Sequence, residues 1–322
     1  MTRVLLVGLG RIAQTHLAVL DRLPAVTVVA GVDPAPSYAV PFPVFPAIDE
    51  GLALEPDLIV LATPTSSHGE LASLVLASTS ALVLSEKPLA QTSAEIAALE
   101  SRHSPAVVAA RLKVAHHFAF SPEVEWAARF VASHPEWGAP TRVVAMSTDA
   151  YGSLTDSQRA SLVSSFVDSA PNQLSVASAF TSGWRVVSHA DRGDRAATAL
   201  THSGGRTFLS SNWLAAESSK HTTLEFLGGE VRVEIEHSSM TVLVTEGDRV
   251  SGHTAYADTV ERKQAHYLGL YDALLHRPDD PRLGVGLALR IAQLLEEAAA
   301  LPASEITWAE VRAQPAPGTS PA

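Results

Sequence analysis

The chain has 322 residues, 46% of them hydrophobic and 18% charged, with no cysteine. That length suggests two domains, the apolar fraction excludes a disordered chain, and the missing cysteines exclude disulfides and thiolate zinc sites, so no metal is expected. The excess of 34 acidic over 23 basic side chains, a net charge of -11 without a local basic patch, argues against a nucleic-acid partner.

No apolar run reaches the roughly 18 to 20 residues of a membrane helix. The early run Val4–Val7 is cut short by Gly8, Gly10 and Arg11, unlike a signal peptide, and a cytoplasmic protein is expected. From the start of the chain, short apolar runs alternate with helical stretches. Val4–Val7, Val26–Val32, Leu58–Ala62, Leu82–Ser85 and Ala106–Ala110 read as strands, and Ile12–Leu23, Gly69–Ala77 and Ser93–Arg102 as helices. Strands apolar on both faces and separated by helices predict a parallel sheet covered on both sides.

The pattern changes after Ser121-Pro122. Pro122 opens a helix through Val131, and period-two alternation then marks strands at Thr141–Thr148, Arg195–Thr201, Thr207–Trp213, Thr222–Leu227, Val231–Glu236 and Thr241–Thr245. Gly204-Gly205 and Gly228-Gly229 supply turns, and Glu261–Leu275 and Leu283–Leu301 read as closing helices. These patterns divide the chain into an α/β domain over 1–120, an α+β domain with a large, mostly antiparallel open sheet over 121–312, and a disordered tail over 313–322.

Val4-Leu-Leu-Val-Gly-Leu-Gly-Arg-Ile-Ala13 supplies strand, tight turn and helix start in the order of a dinucleotide fingerprint. Gly8 permits the turn, Gly10 lets a pyrophosphate approach the backbone, Arg11 and Ile12 open the helix, and Ala13 lets helix and strand pack closely. Asp33, ending the next strand, can accept both hydroxyls of an adenine ribose and repel a 2′-phosphate. The first domain is thus expected to be a Rossmann doubly wound sheet using NAD, although Arg11 can still reach the extra phosphate of NADP. The same glycines also suit a plain strand-helix turn, with Asp33 capping the next loop.

Two further stretches, Ala62-Thr-Pro-Thr-Ser-Ser-His68 and Ser85-Glu-Lys-Pro-Leu89, follow predicted strands at the end of the sheet where such folds bind ligands. With Gly8–Ala13, the run His116–Val124 and Asp168–Asn172, they resemble the glucose-fructose oxidoreductase / inositol dehydrogenase / rhizopine-catabolism (Gfo/Idh/MocA) family in order along nearly the whole chain. The resemblance implies an NAD(P)-dependent oxidoreductase acting on a CH-OH group. It implies Lys87 beside the nicotinamide and the reacting carbon, Glu86 and Pro88 shaping that turn, and Thr63, Pro64 and His68 near the cofactor. A lysine next to a positive nicotinamide ring has its pKa lowered toward neutrality and can exchange a proton. Taken alone, Lys87 reads as a surface residue and His68 as part of a helix start capped by Ser66 or Ser67.

Many members carry a histidine four residues after the aspartate matching Asp168, and here Asn172 takes its place. The Asp-x-x-x-Asn pattern resembles the aldose 1-dehydrogenase branch, which includes L-arabinose and D-galactose 1-dehydrogenases. An amide cannot take a proton, so Asp168 or Lys87 would remove it while Asn172 orients the hydroxyl, and the anomeric hydroxyl of an aldose is acidic enough for a weaker base. Asp168 also suits a helix cap, with Pro171 in the first turn.

His117 matches a histidine of that branch, and Asp149 is a candidate sugar contact. Trp137, Trp184 and Trp213 are candidates for stacking on the sugar or for filling a core. The expected activity is hydride transfer at C1 of an aldose. The alternatives are a keto-sugar or cyclitol reductase, or a non-catalytic dinucleotide sensor. A homodimer or homotetramer through the open sheet of the second domain is expected.

Overall fold

A computed structural model describes residues 1–155, 162–256 and 260–302. The expected disordered tail, 313–322, lies outside the described residues. Within the first 114 residues the chain runs β1 (Thr2–Val7), α1 (Arg11–Leu20), β2 (Val26–Val32), β3 (Val44–Phe45), α2 (Ile48–Leu52), β4 (Leu58–Leu61), α3 (Thr65–Ser78), β5 (Leu82–Ser85), α4 (Ser93–Arg102), α5 (Pro105–Arg111) and β6 (Leu112–Val114). The six strands lie in the order β3-β2-β1-β4-β5-β6 with every neighbouring pair parallel.

Val4, Leu5 and Leu6 of β1 and Ile59, Val60 and Leu61 of β4 are fully buried, as a sheet covered by helices on both faces demands. The order reverses direction between β1 and β4, the switch point where such sheets open a crevice at their carboxyl ends. The expected strand at 106–110 is instead helix α5. Ser104 caps it by accepting the Val107 amide and Pro105 starts it, so the strand begins only at Leu112. Periodicity alone cannot separate a short buried helix from a strand.

The rest comprises α6 (Pro122–Ala132), β7 (Arg142–Ala150), α7 (Ser165–Ala177), β8 (Arg185–Asp191), β9 (Arg195–His202), β10 (Gly205–Asn212), β11 (Leu214–Phe226), β12 (Val231–Glu236), β13 (Thr241–Glu246), β14 (Arg249–Ala255), α8 (Arg262–His276) and α9 (Val285–Ala300). An eight-stranded sheet is ordered β14-β13-β12-β11-β7-β10-β9-β8, antiparallel except for the β7–β10 pair. Helix α7 lies on one face of it. There Gln173, 5% exposed, donates toward Ala145 O, Ser147 Oγ and Ser210 O and so pins the helix to β7 and β10.

Helix α7 begins earlier than a cap at Asp168 requires. Ser164 is the cap, accepting the Val167 amide at 3.3 Å, which puts Asp168 inside the helix and Pro171 in its interior rather than its first turn. The carbonyl that loses its partner to Pro171 belongs to Val167, an exposed residue, which keeps the cost of the proline down. Helix α8 returns to the first sheet. Tyr267, Leu270, Tyr271 and Leu274 share a buried cluster with Val4 and Leu6 of β1 and Val19 and Leu20 of α1. No helix among the described residues is long and apolar enough to cross a membrane.

Candidate active site

The carboxyl ends of β1, β2, β4, β5 and β6 bring Gly8–Gly10, Asp33, Thr63, Glu86-Lys87 and His116-His117 to one edge of the sheet. Gly8 has φ +89°, and a Cβ there would lie 2.8 Å from the Ala62 carbonyl and the Thr63 amide. Above Gly10 a Cβ would meet nothing within 4 Å, which leaves open space beside the first turn of α1. Apart from that of Ala13, which donates to Gly10 O at 3.2 Å, the first amides of α1 have no intrahelical acceptor, so the turn presents a cradle for an anion. Arg11, at its rim, is exposed, and Ile12 is half-buried behind it.

Asp33 accepts the Leu9 amide at 2.7 Å and the Ala35 amide at 2.8 Å, which holds its carboxylate against the glycine turn. Pro34-Ala35-Pro36 follows without a cation, so nothing beside Asp33 in sequence would offset the charge of a 2′-phosphate. These residues fit an NAD molecule.

His68, expected near the cofactor, is 1% exposed and has both ring nitrogens on protein carbonyls, Nδ1 on Pro88 O and Nε2 on Thr63 O, each at 2.8 Å. It joins the turn after β4 to the turn after β5. The expected helix cap at Ser66 or Ser67 is not formed. Ser67 Oγ instead donates to Thr63 Oγ1 and Pro64 O, and Pro64 occupies the cap position. Pro64 is exposed and Thr63 half-buried.

Glu86 points away from solvent. It accepts from Tyr267 of α8 and lies 3.0 Å from His16 Nε2, while His16 Nδ1 lies 2.7 Å from the Tyr271 hydroxyl. Burial pushes the Glu86 carboxyl up, but the His16 and Tyr267 bonds, with Lys87 beside it, bring it below the usual carboxylate range. Its second oxygen accepts the Lys87 amide at 3.3 Å, and the half-buried Lys87 opens a turn whose Lys87–Pro88 peptide is cis.

Asp168 of α7 is half-buried, and its pKa is raised chiefly by burial. Lys87 lowers it, Asp149 raises it and Lys220 lowers it again, so all three charges bear on this carboxyl. Asn172, one helical turn on, lines a cleft with Phe118, Ser147, Gln173, Lys220 and Thr222. Asp149, 6% exposed at the end of β7, is ion-paired with Lys220 at 2.6 Å. Tyr151, just beyond, has its phenol pushed up to about 12 by burial and by Asp149 and Asp168, against the opposing effect of Arg11 and Arg262.

His117 is 7% exposed and stacks on Tyr267 at 4.7 Å, and burial holds its ring well below the ordinary histidine range. Among the described residues, Nδ1 of His117 has no hydrogen-bond partner. Trp137, Trp184 and Trp213 are 4%, 5% and 3% exposed, and the ring of Trp213 lies 5.8 Å from that of Tyr151. Lys220, Tyr151 and His16 carry no signal in the sequence. Only the register of β11 against β7 and the packing of α1 on α8 bring them to the site.

The six-stranded parallel sheet, with the glycine turn and Asp33 at its carboxyl edge, thus stands in one chain with an eight-stranded open sheet, and the charge of Lys87 after β5 bears on Asp168 of α7. Residues 2–105 match the family model described as GFO_IDH_MocA, oxidoreductase family, NAD-binding Rossmann fold, and together with the parallel sheet this makes that part of the chain an NAD-binding Rossmann unit. No curated protein sequence matches the chain.

Among solved structures the chain is similar to a myo-inositol dehydrogenase from Corynebacterium glutamicum at 19% identity and TM-score 0.75, covering 93% of this chain and 97% of that one. It is also similar to a levoglucosan dehydrogenase in complex with NADH at 14% identity and TM-score 0.78, with coverage of 92% and 97%. A third is GenD2 from gentamicin A biosynthesis in complex with NAD, at 18% identity and TM-score 0.74, with coverage of 92% and 93%. At these identities the likeness is one of fold.

Proposed function

We propose that this protein is an NAD-dependent dehydrogenase that interconverts a hydroxyl and a carbonyl on a polyhydroxylated ring, with C1 of an aldose as the favoured position. The observation that carries the reading is the charge coupling of Asp168 with Lys87 where the two domains meet, with Asn172 one turn beyond Asp168. NAD, when bound along Gly8–Ile12 and Asp33, supplies the hydride acceptor.

Asp168 takes the hydroxyl proton, for which its raised pKa makes it a better base than an ordinary aspartate. Lys87 donates a hydrogen bond to the same oxygen and stabilises charge developing there. Asn172 can hold the hydroxyl in line but cannot accept its proton. Run in reverse, a protonated Asp168 would return the proton to a keto sugar or cyclitol.

The test is a panel of aldoses, inositols and keto sugars with NAD and NADP, following the absorbance of reduced nicotinamide, on the wild type and on Asp168→Asn. Turnover of a sugar by the wild type, its loss in Asp168→Asn and retained NAD binding by both are expected. Undiminished turnover by Asp168→Asn would remove it from the mechanism.

A further inference from the structure

A second lysine reaches the cleft from the sheet. Strand β11 bulges between Leu214 and Ser219, then resumes pairing with Ser219 opposite Thr148 and Lys220 opposite Ser147. Residues directly opposite on antiparallel strands share a face, so Lys220 runs along the side that carries Ser147 and Asp149, and its Nζ stops 2.6 Å from Asp149 Oδ1. The two side chains are 16% and 8% exposed.

Drawing such a pair out of water is repaid only if its remaining polar atoms are satisfied. An ammonium has three donors, and among the described residues one of those on Lys220 is used. Asp149 Oδ2 accepts no hydrogen bond from the described residues and is not among the sealed, unpaired atoms of the interior. Two donors and one acceptor are thus left over, and Lys220 lines the same cleft as Asn172. A donor beside an acceptor is the complement of two neighbouring hydroxyls on a ring.

We infer that Lys220, held by Asp149, is a specificity-determining residue that reads a pair of adjacent hydroxyls next to the reacting carbon. The inference rests on the polyol reading above. The charge of Lys220 also bears on Asp168, as do those of Lys87 and Asp149, and Tyr151 feels the two aspartates together with Arg11 and Arg262. Replacing Lys220 by a neutral residue therefore removes one of two cations that favour the charged Asp168.

The experiment uses the full chain loaded with NADH. Binding of D-galactose, L-arabinose, myo-inositol, 2-deoxy-D-galactose and 2-deoxy-D-glucose is compared for wild type, Lys220→Gln, Lys220→Arg and Asp149→Asn, with kcat/KM for each sugar turned over. Lys220→Gln should weaken binding of the fully hydroxylated compounds about tenfold to a hundredfold, as expected when a hydrogen-bonding site loses its partner. Affinity for the deoxy sugars and for NADH should hold, and Lys220→Arg should recover part of the loss. The acidic limb of turnover should move to higher pH.

Equal losses on hydroxylated and deoxy sugars, or Lys220→Gln binding every sugar as the wild type does, would overturn the inference while leaving the polyol reading intact. No sugar bound by a wild type that holds NADH would overturn both. Should Lys220→Gln not fold, Lys220→Met, which keeps the length of the side chain, replaces it in the same comparison.

Discussion

The ring of His68 on α3 stands 2.8 Å from the carbonyl oxygen of Pro88, the residue after Lys87, and its other nitrogen holds the turn that follows β4. The lysine's backbone is therefore fixed from two sides, by His68 through Pro88 and by Glu86 through the Lys87 amide. His68→Ala strands the carbonyl that the ring N–H serves and opens a cavity at a site 1% exposed, so a loss of about 2–4 kcal/mol is expected in urea unfolding. With a substrate found among the aldoses, inositols and keto sugars, kcat should fall further than NAD affinity, and His68→Gln should regain part of both. An unchanged unfolding midpoint would show that the ring does not hold the turns.

Gly8 and Gly10 should separate folding from cofactor binding. Gly8→Ala forces a side chain into backbone atoms 2.8 Å away at φ +89°, and should lower stability by several kcal/mol, with loss of NAD binding as a consequence. Gly10 has extended backbone, φ -81° and ψ -168°, and a Cβ added there would have no protein atom within 4 Å. Gly10→Val should therefore melt close to the wild type yet bind NAD at least about tenfold more weakly, as calorimetry with NAD would read. Equal NAD affinity would mean that the pyrophosphate does not pass over this residue.

Asp168 gives opposite signs for activity and stability. Because its folded pKa is raised above the unfolded value near 3.8, the native state holds the proton more tightly. Stability then falls as pH rises through that interval and stays lower above it. Asp168→Asn removes that cost and should raise the melting temperature at neutral pH while abolishing turnover. Asp149→Asn takes away a repelling charge and should shift the acidic limb of the rate profile to lower pH.

Acid should weaken the fold through its buried histidines. Burial lowers His116 to about 4 and His266 to about 3, and His117 lies well below 6.5 too. Their pKa values are depressed, so the unfolded chain takes up protons first. The stability they allow is complete above pH 6.5 and is lost on acidification, at about 1.4 kcal/mol per pH unit for each group that remains neutral when folded. Urea midpoints at about pH 7 and about pH 5 should differ accordingly, and His266→Phe should reduce the difference. A slope unaltered by that substitution would contradict the assignment.

The strand-helix alternation, the glycine turn and Asp33 were legible because each is a local requirement on backbone or charge. The stretch 106–110 was misread because a short apolar segment suits helix and strand alike, and the capping Ser104 decides. Asp168 looked like a cap because serine is an equally good one, and Ser164 lies nearer the true start of α7. Lys220 had no local signature. It becomes a site residue only through a bulge in β11 and a register with β7, which depend on residues more than seventy positions away.

The packing of α8 onto α1 bears on how this protein can be recombined with others of its architecture. His16 is fully buried between Tyr267 and Tyr271, so a chimera joined near residue 120 that takes α8 from another parent would face His16 and Glu86 with foreign side chains. The exchangeable unit is therefore discontinuous in sequence, comprising the first sheet and its helices together with Arg262–His276 and the start of α9, whose Val285 and Ala288 share a buried cluster with Leu5 and Leu61.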